Sequence, residues 1–109
     1  MDGFVNVARE ADLPSGGALT VHGGALSLAL YHVGGVFYAT ENTCLHLGGP
    51  LAEGSLSGSV VTCPWHRWQV DVRNGASFPS VRLFLKVFEV RVEAGEIYVA
   101  REPTPRRTP

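Results

Sequence analysis

Four side chains with metal-ligating chemistry stand in two short mixed pairs, Cys44-Leu45-His46 and Cys63-Pro64-Trp65-His66, with sixteen residues between them. Each pair supplies one sulfur able to form a thiolate and one imidazole. No other cysteine exists in the chain, which has 2 Cys and 4 His in 109 residues. Two cysteines make at most one bridge and cannot staple a small fold. In a reducing compartment that bridge is disfavoured, which leaves thiols or metal ligands. A Cys44–Cys63 disulfide would also leave both neighbouring histidines without a purpose. A cysteine–histidine hydrolase fits poorly, because nothing marks one cysteine as nucleophile and the other as spare. Zinc accepts two Cys and two His in a tetrahedron, so a structural zinc module stays open. Common zinc modules, however, keep like ligands together in Cys-x-x-Cys and His-x-x-x-His pairs. Gly48-Gly49-Pro50-Leu51 follows the first pair. Small residues there let main-chain N–H groups come close to a metal centre.

The rest of the chain sets the frame for these loops. Its length fits one domain, with residues 1–100 folded and no linker or internal repeat. Thirteen glycines and seven prolines punctuate it, which suits many short strands and tight turns. Phe4–Ala8 alternates weakly and is expected to be a first strand. Glu10–Pro14 is expected to be one helical turn, stopped by the proline. Leu19–His22, Leu26–Val33 and Val36–Thr40 are expected strands, the last two joined through Gly34-Gly35 as a β-hairpin. Val60–Thr62 and Trp68–Val72 flank the second ligand pair, and Arg73-Asn74-Gly75 is an expected turn. Val87–Glu93 alternates cleanly, with Phe88, Val90 and Val92 on one face, and turns at Ala94-Gly95 into Glu96–Ala100. About eight to ten short strands and no long helical pattern predict an all-β fold of small antiparallel sheets. The tail 101–109 holds three prolines and no large apolar side chain; it is expected to be disordered and solvated.

Charge excludes several function classes. Charged residues are 17% of the chain and the formal net charge is −1. Nucleic-acid binding needs a basic face, and a membrane-surface module needs a polybasic one. No stretch is long and apolar enough to span a membrane. No basic and apolar leader is visible at Met1–Asn6, so a cytoplasmic protein is expected. The remaining histidines, His22 and His32, lie on expected strands. A two-histidine, one-carboxylate iron site needs three convergent ligands, and these two read as ordinary strand residues. No second metal site is expected from them.

The two ligand pairs, the Gly-Gly-Pro-Leu run, Asp71, the Asn74-Gly75 turn and Phe78-Pro79-Ser80 together resemble the Rieske family of [2Fe–2S] proteins over about residues 4–100. The resemblance implies an all-β Rieske-type fold with a cluster-binding subdomain of two loops, about residues 41–79. It implies one [2Fe–2S] cluster, with Cys44 and Cys63 on one iron and His46 and His66 on the other. With two neutral imidazoles in place of thiolates, the oxidised site carries a formal charge of about zero and the reduced one about −1, so an electron is added more easily than to a four-thiolate cluster. The His-ligated iron is expected to take that electron and to lie nearest the surface. Leu45, Leu47 and Trp65 are expected to form an apolar rim there.

High-potential members of the family carry extra cysteines in the ligand loops and hydroxyl donors to the cluster sulfurs. At the matching positions this chain has Leu47 and Trp65, and then Trp68 and Val70, none of which offers an O–H. A potential at the low end of the family's span, about −150 mV, is expected. Small Rieske ferredoxins commonly have Gly after the second histidine, where this chain has Arg67. The resemblance implies a monomeric one-electron carrier rather than an enzyme. It would take electrons from a reductase, flavin-dependent by family analogy, and pass them to an oxygenase or similar acceptor. The Rieske-like small subunit of an NADH-dependent nitrite reductase is the other family reading.

Overall fold

A computed structural model describes residues 3–23, 26–42, 50–64, 68–78 and 84–104. Eleven strands form there, arranged in three antiparallel sheets. The first sheet has the order β1 (Phe4–Arg9), β11 (Glu96–Ala100), β10 (Val90–Glu93). The second runs β2 (Ala18–Gly23), β3 (Leu26–Val33), β4 (Val36–Glu41), β9 (Val87–Phe88). The third is the smallest: β5 (Ser55–Ser57), β6 (Val60–Thr62), β7 (Gln69–Asp71), β8 (Ser77–Phe78). Short 3-10 turns occupy Glu10–Asp12 and Leu51–Glu53. The all-β expectation is met.

β3 is the centre of the molecule, and its sequence explains why. Residues 28–31, Leu-Ala-Leu-Tyr, are all buried, so both faces of the strand are covered. A strand buried on two sides reads as a continuous apolar run rather than an alternation. Leu28 and Leu30 point to one core with Leu13, Val21, Ala39, Phe88, Ile97 and Val99. That core joins the first and second sheets. Ala29 and Tyr31 point the other way, to a second core with Leu51, Val61, Cys63, Val70, Val72 and Leu85. That core joins the second sheet to the third. The tight turn at Gly34-Gly35, where both residues have positive φ (55° and 89°), sets the β3–β4 register from Val33↔Val36 to Leu28↔Glu41.

One buried polar pair sits between these cores. Thr40 Oγ1 donates to the Glu41 carbonyl at 2.8 Å, and the Tyr31 hydroxyl lies 3.0 Å from Thr40 Oγ1. Since the threonine proton is committed, the tyrosine donates. Burial pushes the Tyr31 phenol well above the usual tyrosine range.

Several boundaries differ from the sequence reading, each for a physical reason. The weak alternation of Phe4–Ala8 is a register shift in β1 between Asn6 and Ala8, where it pairs with β11; an extra residue in a strand breaks the period of two. Val87–Glu93 is not one strand. The chain changes sheets at Glu89: Val87 and Phe88 pair with β4, whereas Val90–Glu93 pair with β11. The Glu89 carbonyl accepts the Ala100 N–H at 2.9 Å. Of the expected apolar face, Phe88 is buried and Val90 packs beside it, but Val92 is 39% exposed. β5 and β8, rich in serine and two or three residues long, lack any apolar period that would reveal them. The tail, expected to be disordered from Arg101, is held over its first four residues. Arg101 N–H donates to the Gly3 carbonyl and Thr104 N–H to the Val87 carbonyl, both at 2.8 Å. Residues 105–109 lie outside the described residues.

Candidate metal centre

The third sheet is built around the hairpin that carries the second ligand pair. β6 and β7 pair in register through Val60↔Asp71, Val61↔Val70 and Thr62↔Gln69. Valine at three of these six positions favours the pleated form, and the pair Val61–Val70 is buried at 0% and 1% exposure. The ladder extends one step further, since Cys63 N–H donates to the Trp68 carbonyl at 2.7 Å. Cys63 therefore stands at the root of a closed loop, and only 2% of it is exposed. Trp68, on the other side of the root, packs against the same core. Gly54 lets the neighbouring turn approach this root. A Cβ at that position would run into the Thr62 carbonyl oxygen.

The first ligand pair falls in residues 43–49, and its loop is also closed at the root. Leu51 N–H donates to the Asn42 carbonyl at 3.3 Å, and Ala52 N–H to Asn42 Oδ1 at 2.9 Å. Asn42 Nδ2 donates across to Thr20 Oγ1 on β2 at 3.1 Å. Leu51, fully buried, belongs to the same core cluster as Cys63. The exit of one ligand loop and the entrance of the other thus share one apolar core.

Among the four sequence-derived ligands, Cys63 is described; Cys44, His46 and His66 lie outside the described residues, as do Leu45, Leu47, Trp65 and Arg67. Among the described residues, no group of three or more His, Cys, Asp or Glu gathers to hold a metal ion. His22 is exposed on β2, opposite Ser27. His32 stacks on Phe37, with ring centres 4.1 Å apart, and its Nδ1 lies 2.9 Å from the Leu13 carbonyl oxygen. A carbonyl can only accept, so Nδ1 carries the proton. Both histidines lie on strands, as expected.

Beyond β7 a turn braces the hairpin. Asp71 Oδ1 accepts from Arg73 N (3.0 Å) and Nε (3.1 Å), and Oδ2 accepts from the Arg73 guanidinium at 2.8 Å. This arginine holds the Asp71 carboxyl below the usual carboxylate range, against a partial opposing effect of burial. Gly75 N–H donates to the Asp71 carbonyl at 2.8 Å. Gly75 has φ 81°, and a Cβ there would strike the Leu85 carbonyl oxygen. Only glycine satisfies both conditions. The Asn74-Gly75 turn, legible in the sequence, is therefore also a point of close packing. Val70, at the position where a hydroxyl donor would be sought, is apolar and buried in the core.

The sequence reading passed over Asn42 and Gly54. Their signals are slight: an asparagine, which readily bonds main-chain groups, at the end of a strand, and an isolated glycine between a turn and a strand.

The donor set fits an iron–sulfur cluster. A cysteine in a dry, apolar setting is at the mouth of one closed loop, and the other closed loop is rooted in the same core. Each loop carries one sulfur and one imidazole. A profile of the Rieske [2Fe-2S] domain matches residues 3–82. The chain is 44% identical over 102 residues to the ferredoxin CarAc of Metapseudomonas resinovorans, a match covering 91% of this chain and 94% of that one. It is 33% identical over 97 residues to the ferredoxin component of the naphthalene 1,2-dioxygenase system of Pseudomonas aeruginosa, covering 88% and 93%. Among solved structures, one in the complex of reduced oxygenase and oxidised ferredoxin in carbazole 1,9a-dioxygenase superposes with a TM-score of 0.88. It is 40% identical and covers 97% of this chain and 100% of that chain. With two mixed cysteine–histidine pairs in segments rooted on one core, this chain belongs to the Rieske [2Fe–2S] domain family, and the group it is built to hold is a [2Fe–2S] cluster.

Proposed function

We propose that this chain is the soluble ferredoxin of a multicomponent dioxygenase system, carrying one electron at a time from a reductase to an oxygenase. Cys44 and Cys63 hold one iron and His46 and His66 the other. The bound cluster supplies a site that gains and loses a single electron with no bond made or broken in a substrate. The observation that carries the reading is the placement of Cys63, 2% exposed at the root of a hairpin whose core also contains Leu51 from the root of the first loop.

The chain's own residues do the rest. The β6–β7 ladder and the Asn42 closure fix the loop roots, which keeps the ligands' rearrangement small when charge is added. Core side chains Val61, Val70 and Leu51 keep water from the buried sulfur of Cys63. A dry setting with no hydroxyl donor at Val70 stabilises the more negative reduced state little, which supports a low potential.

The relatives support the choice of partners. One relative is named as the ferredoxin component of a naphthalene dioxygenase system, and the similar solved structure is a complex of oxygenase and ferredoxin in carbazole 1,9a-dioxygenase. The electron donor is a flavin-dependent reductase. Docking to each partner is transient, with a small interface in the weak class below about 1,200 Å², and the carrier is a monomer of the cytoplasm. No helix among the described residues is long and apolar enough to cross a membrane.

Anaerobic purification with iron and acid-labile sulfide analysis tests the reading, followed by electron paramagnetic resonance after dithionite reduction. Iron and sulfide in equal amounts and a Rieske spectrum are expected. The spectrum should vanish in His46→Ala and in His66→Ala and persist in His22→Ala and His32→Ala. A colourless protein holding zinc, or a spectrum retained in both ligand variants, would overturn it.

A further inference from the structure

Asn42 ties together three segments that the chain would otherwise leave independent. It follows β4, stands at the entrance of the 43–49 segment, and is half-buried. Its carbonyl accepts the Leu51 N–H at 3.3 Å, and its Oδ1 accepts the Ala52 N–H at 2.9 Å, so entrance and exit of the segment are bound to each other twice. Its Nδ2 donates to Thr20 Oγ1 at 3.1 Å, which anchors that closure to β2. Thr20 is opposite Ala29 of β3, and Ala29 lies in the core that contains Cys63. The carboxamide uses one donor and one acceptor, and no hydrocarbon side chain of the same shape can replace either.

We infer that Asn42 is a positioning residue for the cluster: its carboxamide ties both ends of the segment that carries Cys44 and His46 to β2, beside the core that contains Cys63. This rests on the ligand assignment proposed above. A flexible loop samples many placements of its ligands, and each must be given up when a metal is held. Closing the root with side-chain bonds removes much of that freedom in advance. Residues that orient ligands from outside the coordination sphere alter metal retention by 10–100-fold when removed. The chemistry also predicts which replacement works. Aspartate keeps the acceptor for Ala52 N–H, and the Thr20 hydroxyl can rotate to donate to its second oxygen, so Asn42→Asp preserves both contacts. Asn42→Ala keeps neither.

The test uses the intact, cluster-loaded protein and reads iron release to a chelator, the paramagnetic resonance line shape, and hydrogen exchange at the Ala52 amide. Asn42→Ala is expected to release iron about 10-fold faster, the low end of that range, with a broadened spectrum and faster exchange at Ala52. Asn42→Asp is expected to restore the release rate and line shape, and Thr20→Val to fall between. Asn6→Ala removes an exposed 3.3 Å bond to Glu96 in the first sheet, and should change none of the three readouts. Release at the wild-type rate from Asn42→Ala, with Ala52 exchange accelerated, would overturn the inference. If Asn42→Ala does not fold, unchanged release from Thr20→Val would do the same. A wild-type protein without iron and sulfide would instead refute the ligand assignment, which the analysis of the parent protein reads separately.

Discussion

The two four-stranded sheets of this molecule are built on different principles. In the sheet β2-β3-β4-β9, the three main strands are 6, 8 and 6 residues long and bury apolar side chains on both faces at its centre. In the sheet β5-β6-β7-β8, no strand exceeds 3 residues. The first is held by hydrophobic area. The second is held by its joints: the Cys63–Trp68 step, the Asp71–Arg73 brace, and glycines where a Cβ would strike a carbonyl. Long strands tolerate a local fault because their area is shared over many residues. A small sheet whose loops must hold ligands depends on a few contacts, each at a defined position.

Substitutions in the two sheets test this contrast. The largest effect is expected in the large sheet, from Leu30→Ala. Leu30 is fully buried between the first and second sheets, and losing it should cost about 2–5 kcal/mol in denaturant unfolding. The cluster's resonance spectrum should nevertheless stay unchanged in the folded fraction, because Leu30 faces away from the Cys63 core. A shifted spectrum would show that the two cores are not independent.

Gly75→Ala comes next. It imposes a strained backbone and a contact with Leu85, and should cost about 1–3 kcal/mol. Here the small sheet is hit, so the expected signature is reversed: iron retention falls more than global stability does. Equal loss of both would erase the distinction between the sheets.

The smallest effect is expected from Asp71→Asn. Arg73 is 60% exposed, so solvent screening keeps the pair's contribution small. Its sign with pH is defined. The folded carboxyl lies below its ordinary value of 3.8, so its contribution is complete above about pH 4 and disappears as pH falls through the lower folded value. The stability gap between parent and variant, measured by urea unfolding, should be full at pH 7 and narrow below pH 4. A gap that widens in acid would contradict the assignment.

The same contrast explains what could be read from the residues. β3 was legible because eight residues, six of them apolar, between Gly23-Gly24 and Gly34-Gly35 leave few alternatives, and the Gly34-Gly35 connection fixed its partner. β5 and β8 were invisible because Ser-Leu-Ser and Ser-Phe are too short to show a period. The change of sheets at Glu89 was also hidden: Val87–Glu93 alternates throughout, and what divides it is pairing with two distant strands. The candidate site was legible by another route, through ligand chemistry rather than periodicity. Cys63 stands at a hairpin root, and Cys44, His46 and His66 lie outside the described residues. Asn42 was missed because its role consists of bonds to Thr20 and Ala52, far apart in the chain, which no local pattern announces.

Mixed thiolate–imidazole ligation, with no hydroxyl donor from positions such as Val70, is proposed to make this chain a low-potential carrier. A redox titration of the purified protein, followed by electron paramagnetic resonance, tests it most directly. A single one-electron transition at about −150 mV is expected. A midpoint well above zero, or no one-electron transition, would contradict it.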